Sequence, residues 1–351
     1  MLAGTLEIMF EPGAFVRRLP KVQLHCHLEG TVRAQTFREL AELRGVDSKR
    51  ARGPLADTYA FATFGEFLLT FAEVCKALQR PEDYARIAQD YVNDALAANV
   101  RYAEIFISPS VWTFFHPALD IKETVAAMRE VFDAAGAHAD LEIALICDLT
   151  RNWGPERALE TARVAVSLAE DGLGVVGIGL GGDEANAPAA LFAEPFAYAR
   201  ASGLHVVAHA GEAAGAESVR DAVEILGAER IGHGVRAVED PSVVGLLAER
   251  GVALEICPTS NRLTGAVPAG EPHPIGRLDA AGVRCTIDAD DPALFSTTLV
   301  HEYELVAAWC GEPALERFAR NAIEASFASP GRKAGLHAEI DEATSPEIRA
   351  R

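Results

Sequence analysis

His25 and His27 stand two residues apart at the end of the short apolar run Lys21-Val22-Gln23-Leu24. If that run is a strand, its side chains alternate between faces, so both imidazoles share one face and Cys26 takes the other. Two neutral imidazoles on one face are half of a zinc site. The rest can come from His209, in His209-Ala210-Gly211-Glu212, and from an aspartate of the pair Asp290-Asp291. Three nitrogens and one oxygen suit a borderline-soft divalent ion and leave a place for water, and zinc is the expected metal. Water on such an ion is a nucleophile near neutral pH and needs a neighbouring base, for which His233 is the candidate. Glu212, three residues beyond a ligand, is placed to deliver a proton to substrate. The paired aspartates can divide the work, Asp290 on the metal and Asp291 accepting a hydrogen bond from substrate or water.

Distant residues of this kind need a scaffold that gathers them. Eight short apolar runs read as strands, over residues 22–27, 100–107, 141–148, 175–180, 205–209, 230–233, 252–257 and 283–288. Helix-like segments lie between them at 81–98, 121–137, 155–169, 188–201, 217–226 and 241–249, several opened by Pro or followed by Gly. Eight alternating units predict an α/β fold, a (β/α)8 TIM barrel, with a doubly wound open sheet as the alternative. The first connection, residues 30–99, is long enough to hold extra helices inserted after the first strand. Residues 1–330 are read as a single barrel domain and 331–351 as a polar, loosely held C-terminal tail. Each candidate His, Glu and Asp lies at the carboxyl end of a strand, and in a barrel those ends converge on one rim. The fourth strand runs into Gly179-Leu180-Gly181-Gly182-Asp183, with no lysine to bridge two ions, so a single metal is expected.

Composition narrows the partners. A chain of 351 residues, 49% hydrophobic and 24% charged, can bury a large core. With 32 Lys+Arg against 51 Asp+Glu the net charge is −19, and no basic stripe interrupts it; nucleic acid and an anionic membrane surface are excluded as partners. Glu7, Glu11 and Pro12 break the first 20 residues before an apolar run lengthens, so neither signal peptide nor membrane span is expected, and the cytoplasm is the expected compartment. Six scattered Cys without Cys-x-x-Cys read as buried thiols rather than disulfides or thiolate zinc ligands.

Several stretches together resemble the adenosine deaminase family of the metal-dependent amidohydrolases. They are Pro20-Lys21-Val22-Gln23-Leu24-His25-Cys26-His27-Leu28-Glu29-Gly30, Gly181-Gly182-Asp183-Glu184, His209-Ala210-Gly211-Glu212, Arg230-Ile231-Gly232-His233-Gly234, Cys257-Pro258-Thr259-Ser260-Asn261 and Asp290-Asp291-Pro292. The resemblance implies one zinc per chain on His25, His27, His209 and Asp290, with His233 activating the water. It implies further that Glu212 protonates the purine at N1, that the Gly182 N–H meets N3, that Asp291 reads N7, and that His27 and Glu29 border the substrate. The reaction implied is hydrolytic loss of ammonia from C6 of a 6-aminopurine. The other zinc deaminase design, with His-x-Glu and Pro-Cys-x-x-Cys, is absent.

Substrate signals divide. Adenosine deaminases usually carry Asp where this chain has Glu29, a residue shared with adenine and aminodeoxyfutalosine deaminases, and Gly179 stands where Asp is common in adenosine deaminases. Gly232 and Thr259 look more like nucleoside deaminases. The expected substrate is a small-molecule purine nucleoside, adenosine or 2′-deoxyadenosine. Aminodeoxyfutalosine, met in menaquinone synthesis, and adenine are the alternatives, and a zinc amidase or esterase the remote one. Phe64, Phe67, Leu68 and Phe71 share one helical face and read as core or as an apolar lid. Trp112, Phe114, Phe115 and His116 either shape the pocket or pack their loop.

Overall fold

A computed structural model describes residues 13–51 and 58–345. Eight parallel strands pair in sequence order: β1 (Lys21–Gln23), β2 (Val100–Ile107), β3 (Glu142–Thr150), β4 (Val175–Gly181), β5 (His205–Ala210), β6 (Arg230–His233), β7 (Ala253–Ile256) and β8 (Cys285–Ile287). Helices cover their outer faces, and the whole is the (β/α)8 barrel that the alternating pattern predicts. Phe106, Ile146 and Val207 form a small cluster of buried apolar side chains of their own, contributed by β2, β3 and β5.

The first strand is shorter than its apolar run. The carboxylate of Asp288 accepts hydrogen bonds from the N–H groups of Leu24 at 2.6 Å and His25 at 3.0 Å, drawing the chain out of the regular ladder after Gln23. Beyond that point the backbone bridges two neighbours. Cys26 C=O accepts from Phe106 N–H at 2.9 Å, while His27 N–H donates to Asp290 C=O at 3.0 Å and Asp290 N–H to His25 C=O at 3.1 Å. The seam between first and last strands is thus closed by the backbone of the candidate metal ligands.

The connection after β1 holds the inserted helices Ala34–Arg44 and Phe64–Ala77, ahead of Pro81–Ala97. Thr63 caps the second, its hydroxyl accepting from Glu66 N–H, while the Glu66 carboxylate reaches back to Ala62 N–H at 2.7 Å. The segments expected as single helices at 188–201 and 217–226 are each divided. The first is a 3-10 turn, Ala189–Phe192, followed by Ala193–Ala201; the second is Ala216–Asp221 followed by a π turn, Ala222–Leu226.

The expected loose tail is instead helical through Ala343. Pro330 opens the helix Pro330–Ala343, whose Leu336, Ile340 and Ala343 are buried while its other face is polar. A stripe of so few apolar residues reads as polar overall, which is why composition alone suggested a tail. Residues 1–12, which carry Glu7, Glu11 and Pro12, and the end of that tail, 346–351, lie outside the described residues. No helix among the described residues is long and apolar enough to cross a membrane.

Leu336→Ala should lower unfolding free energy by about 2–5 kcal/mol in urea denaturation, the range for truncating a buried Leu. An unchanged midpoint would mean that this helix does not pack as described.

Candidate active site

The seam places His25 and His27 on the inner face beside Asp290, and β5 brings His209 opposite them. His25 Nδ1 lies 2.7 Å from Glu255 Oε2, while its Nε2 is buried without a hydrogen bond and stands 3.3 Å from Asp290 Oδ1. His209 donates from Nδ1 to Leu180 C=O at 3.1 Å, which leaves its Nε2 as a lone pair. That lone pair faces His27 Nε2 at 3.2 Å, and His27 Nε2 is 3.5 Å from Asp290 Oδ1. Burial pushes His27 down to about 3 and His209 well below the usual range, so both rings are neutral. Despite its own burial, Asp290 is held well below the usual carboxylate range by the facing His25, His233 and His27. Against its burial, Asp290 and Glu255 hold His25 well above the usual range, so a divalent cation binding there would take the place of its proton. Four buried groups able to donate electron pairs converge within 4.8 Å of one another, and a divalent cation fits that arrangement.

Side chains behind the donors fix them. Glu255, on β7, is fully buried between His25 and Arg230, whose Nε is 2.5 Å from Oε1; Arg230 also pairs with Glu104 at 2.7 Å and lies 4.0 Å over the Phe327 ring. Sequence reasoning missed this chain, although lone charges inside the apolar runs of β2, β6 and β7 were its signal. Gly232 gives His25 its space, since a Cβ there would fall 2.7 Å from His25 Cε1. Glu184 accepts four successive N–H groups, Gly211 to Ala214, at 2.6 to 3.1 Å, and so holds the turn that carries Glu212. Asn261 Nδ2 lies 3.0 Å from His233 Nδ1, orienting that ring. His233 and Asp290 both have positive φ, 62° and 61°, a strained backbone at two residues of the site.

His27, His209 and Asp290, with His233, border a cavity of about 400 Å³. Glu212 Oε2 is 3.6 Å from His233 Nε2 at its edge. Burial first, then the Asp290 and Glu184 carboxylates, push Glu212 up to about 8, and burial with Asp290 likewise raises Asp291 well above its usual range. Both acids are therefore able to hold a proton near neutrality. Asp291 packs against Gly30, where a Cβ would fall 1.9 Å from its Oδ1. Gly182 has φ 96°, and Asn152 fills the place of its missing side chain. Phe64, Phe67, Leu68 and Phe71 line the upper wall. Phe67 also stacks on Phe295 at 4.8 Å, so this helical face both packs and bounds the cavity.

The sequence pattern of the family described as Adenosine deaminase matches residues 20–343. The chain belongs to the adenosine deaminase family. It is 38% identical over 336 residues to an aminodeoxyfutalosine deaminase of Streptomyces coelicolor, covering 95% of this chain and 86% of that one. It is 37% identical over 325 residues to an adenine deaminase of Rhizobium leguminosarum bv. trifolii, covering 92% and 99%. Among solved structures, an adenine deaminase from Arthrobacter aurescens superimposes with a TM-score of 0.83 at 30% identity, over 92% of this chain and 98% of that one.

Within this deaminase family scaffold, one expected substrate neighbour is set back from the cavity, and the aromatic loop divides between its two expected roles. Glu29, expected beside the substrate, is fully buried and does not line the cavity. Its Oε1 accepts from Trp112 Nε1 at 2.5 Å and Ser108 N–H at 2.9 Å, while its Oε2 is buried without a hydrogen-bond partner among the described residues. Trp112 therefore packs its loop, while Phe115 lines the cavity and Phe114 stacks on Trp153 at 4.4 Å. Trp153 and Asp148 also line the cavity and were not singled out from sequence, because Asp148 lies near the end of an apolar strand and Trp153 just beyond it, with no motif around either. His233, Cys257 and Asp290 form a second group of nearby donors, but burial raises the Cys257 thiol well above its usual range and disfavours a thiolate there.

Glu255→Gln should weaken metal binding about 10- to 100-fold, the range for losing the partner that orients a ligand histidine. Chelator competition on the folded variant checks this, and unchanged affinity would remove Glu255 from the metal site.

Proposed function

We propose that this protein is a zinc-dependent hydrolase that removes ammonia from C6 of a 6-aminopurine nucleoside whose 5′ position carries a bulky aromatic or thioether extension, as aminodeoxyfutalosine and methylthioadenosine do. The observation that carries the substrate reading is the cavity itself. At about 400 Å³ it is far roomier than a free purine base needs, and its upper wall is aromatic and aliphatic. No Lys or Arg lines it among the described residues, whereas Asp148, Glu212, Asp290 and Asp291 do. A 5′-phosphate would find no side-chain cation to pair with in this lining. Glu29 Oε1 is held by Trp112 and Ser108, and the residue does not line the cavity, so the acid that adenosine deaminases usually place at the 5′-hydroxyl is set back here.

His25, His27, His209 and Asp290 would hold one zinc ion. When bound, it supplies a nucleophilic water near neutral pH and polarises the reacting centre. A zinc-bound amidohydrolase structure from Burkholderia ambifaria, 27% identical, supports that choice of metal. His233 Nε2 faces the cavity from a ring positioned by Asn261, where it orients the attacking water and exchanges its proton. Glu212 carries its proton to N1 as C6 becomes tetrahedral, and its raised pKa keeps that proton available. Asp291, also neutral, donates to N7, and the Gly182 N–H meets N3. Closure of the pocket by the Phe64–Ala77 helix face excludes bulk water from these transfers.

The identity to adenine deaminases favours adenine as a second reading. A panel of aminodeoxyfutalosine, methylthioadenosine, adenosine, 2′-deoxyadenosine and adenine, ranked by kcat/KM for ammonia release, separates them. The 5′-modified nucleosides should lead by at least about tenfold, the scale on which apolar contacts discriminate. Adenine leading the panel would overturn the nucleoside reading.

A further inference from the structure

We propose that Asp148 is a specificity-determining residue that hydrogen-bonds a ribose hydroxyl of the substrate; this rests on the nucleoside reading above. Asp148 stands on β3 in register with Gly179 of β4, is buried, and lines the cavity. Its Oδ1 has no hydrogen-bond partner among the described residues. Burying a carboxyl group without a partner is costly, so one in a ligand cavity points to a donor or acceptor that arrives with the ligand.

The neighbouring strand is shaped around this group. A Cβ at Gly179 would fall 2.7 Å from Asp148 Oδ1, and one at Gly181 would fall 2.5 Å from Oδ2. Two bare positions on β4 therefore admit a carboxyl from β3, and a side chain at either would displace it. Thr150 and Asn152 continue the same polar stripe along the cavity wall, but both are already engaged. The Thr150 hydroxyl pairs with Ser110 at 2.9 Å, and Asn152 Oδ1 accepts from Asp183 N–H at 3.1 Å. Asp148 alone of the three keeps an unpaired oxygen.

Strand order says which part of the ligand it meets. In the proposed pose Glu212, after β5, meets N1 and Gly182, after β4, meets N3. The next strand round the barrel is β3, and the next position round the purine leads to N9 and its sugar. Glu29 and Asp291 also each keep an unpaired oxygen, but Glu29 does not line the cavity and Asp291 is assigned to N7, which leaves Asp148 as the cavity carboxyl to pair with a sugar hydroxyl.

The test uses the full zinc-loaded chain and Asp148→Asn, which keeps the side-chain volume, with methylthioadenosine and its 2′-deoxy and 3′-deoxy forms as substrates. Melting temperature and zinc content establish that the variant is folded and loaded. D148N exchanges a carboxyl for an amide that pairs more weakly with a hydroxyl, and should lower kcat/KM on the ribonucleoside about tenfold, mainly through KM. One deoxy form should be comparably poor with the unaltered protein and lose little more in D148N. An equal loss on all three substrates, or no loss on any, would overturn the assignment. If the unaltered protein turns over adenine but no nucleoside, the nucleoside reading fails first, and this inference fails with it.

Discussion

The barrel closes through its own metal site. Two backbone hydrogen bonds, His27 N–H to Asp290 C=O and Asp290 N–H to His25 C=O, join the chain beyond β1 to the chain beyond β8. The residues that close the sheet therefore also carry three of the four converging donors. This couples fold and chemistry: a barrel that failed to close would separate His25 and His27 from Asp290, and a distorted donor set would open the seam. The positive φ of Asp290 belongs to the same junction, where a short polar side chain tolerates the left-handed backbone better than most.

Charge placement extends that coupling into the core. Glu104, Arg230 and Glu255 form a buried chain ending on His25, and ion pairs so deep are stabilising only when every member keeps its partners. The chain runs through β2, β6 and β7, so the orientation of one imidazole depends on three strands remote in sequence. Glu184 plays the corresponding part for Glu212, gathering four N–H groups into one carboxylate. Glu212 and His25 are thus each positioned by a second acid that lies outside the cavity lining.

Much of this was legible in the sequence, and the failures have physical causes. The strands and the donors at their carboxyl ends follow from alternation and motif, because the barrel interior must be apolar below and polar at one rim. The length of β1 did not, since Asp288 intercepts N–H groups from 264 residues away and no local pattern records that. The setting of Glu29 behind the cavity wall was not legible, because spacing reports which residue follows His27 but not which way a longer side chain turns when Trp112 offers it a donor. Asp148 was overlooked because its role depends on what Gly179 and Gly181 lack. The helix Pro330–Ala343 was hidden by a stripe of apolar residues too narrow to stand out from polar neighbours.

The account stands or falls on one mononuclear site built of imidazoles and a carboxylate. X-ray absorption at the zinc edge of the loaded protein tests this most directly. It should give a single zinc environment of nitrogen and oxygen neighbours at about 2.0–2.2 Å, with imidazole outer-shell scattering. A sulfur neighbour at about 2.3 Å would transfer the metal toward Cys257, and a second metal at about 3.5–4 Å would make the site binuclear. Either result would contradict it.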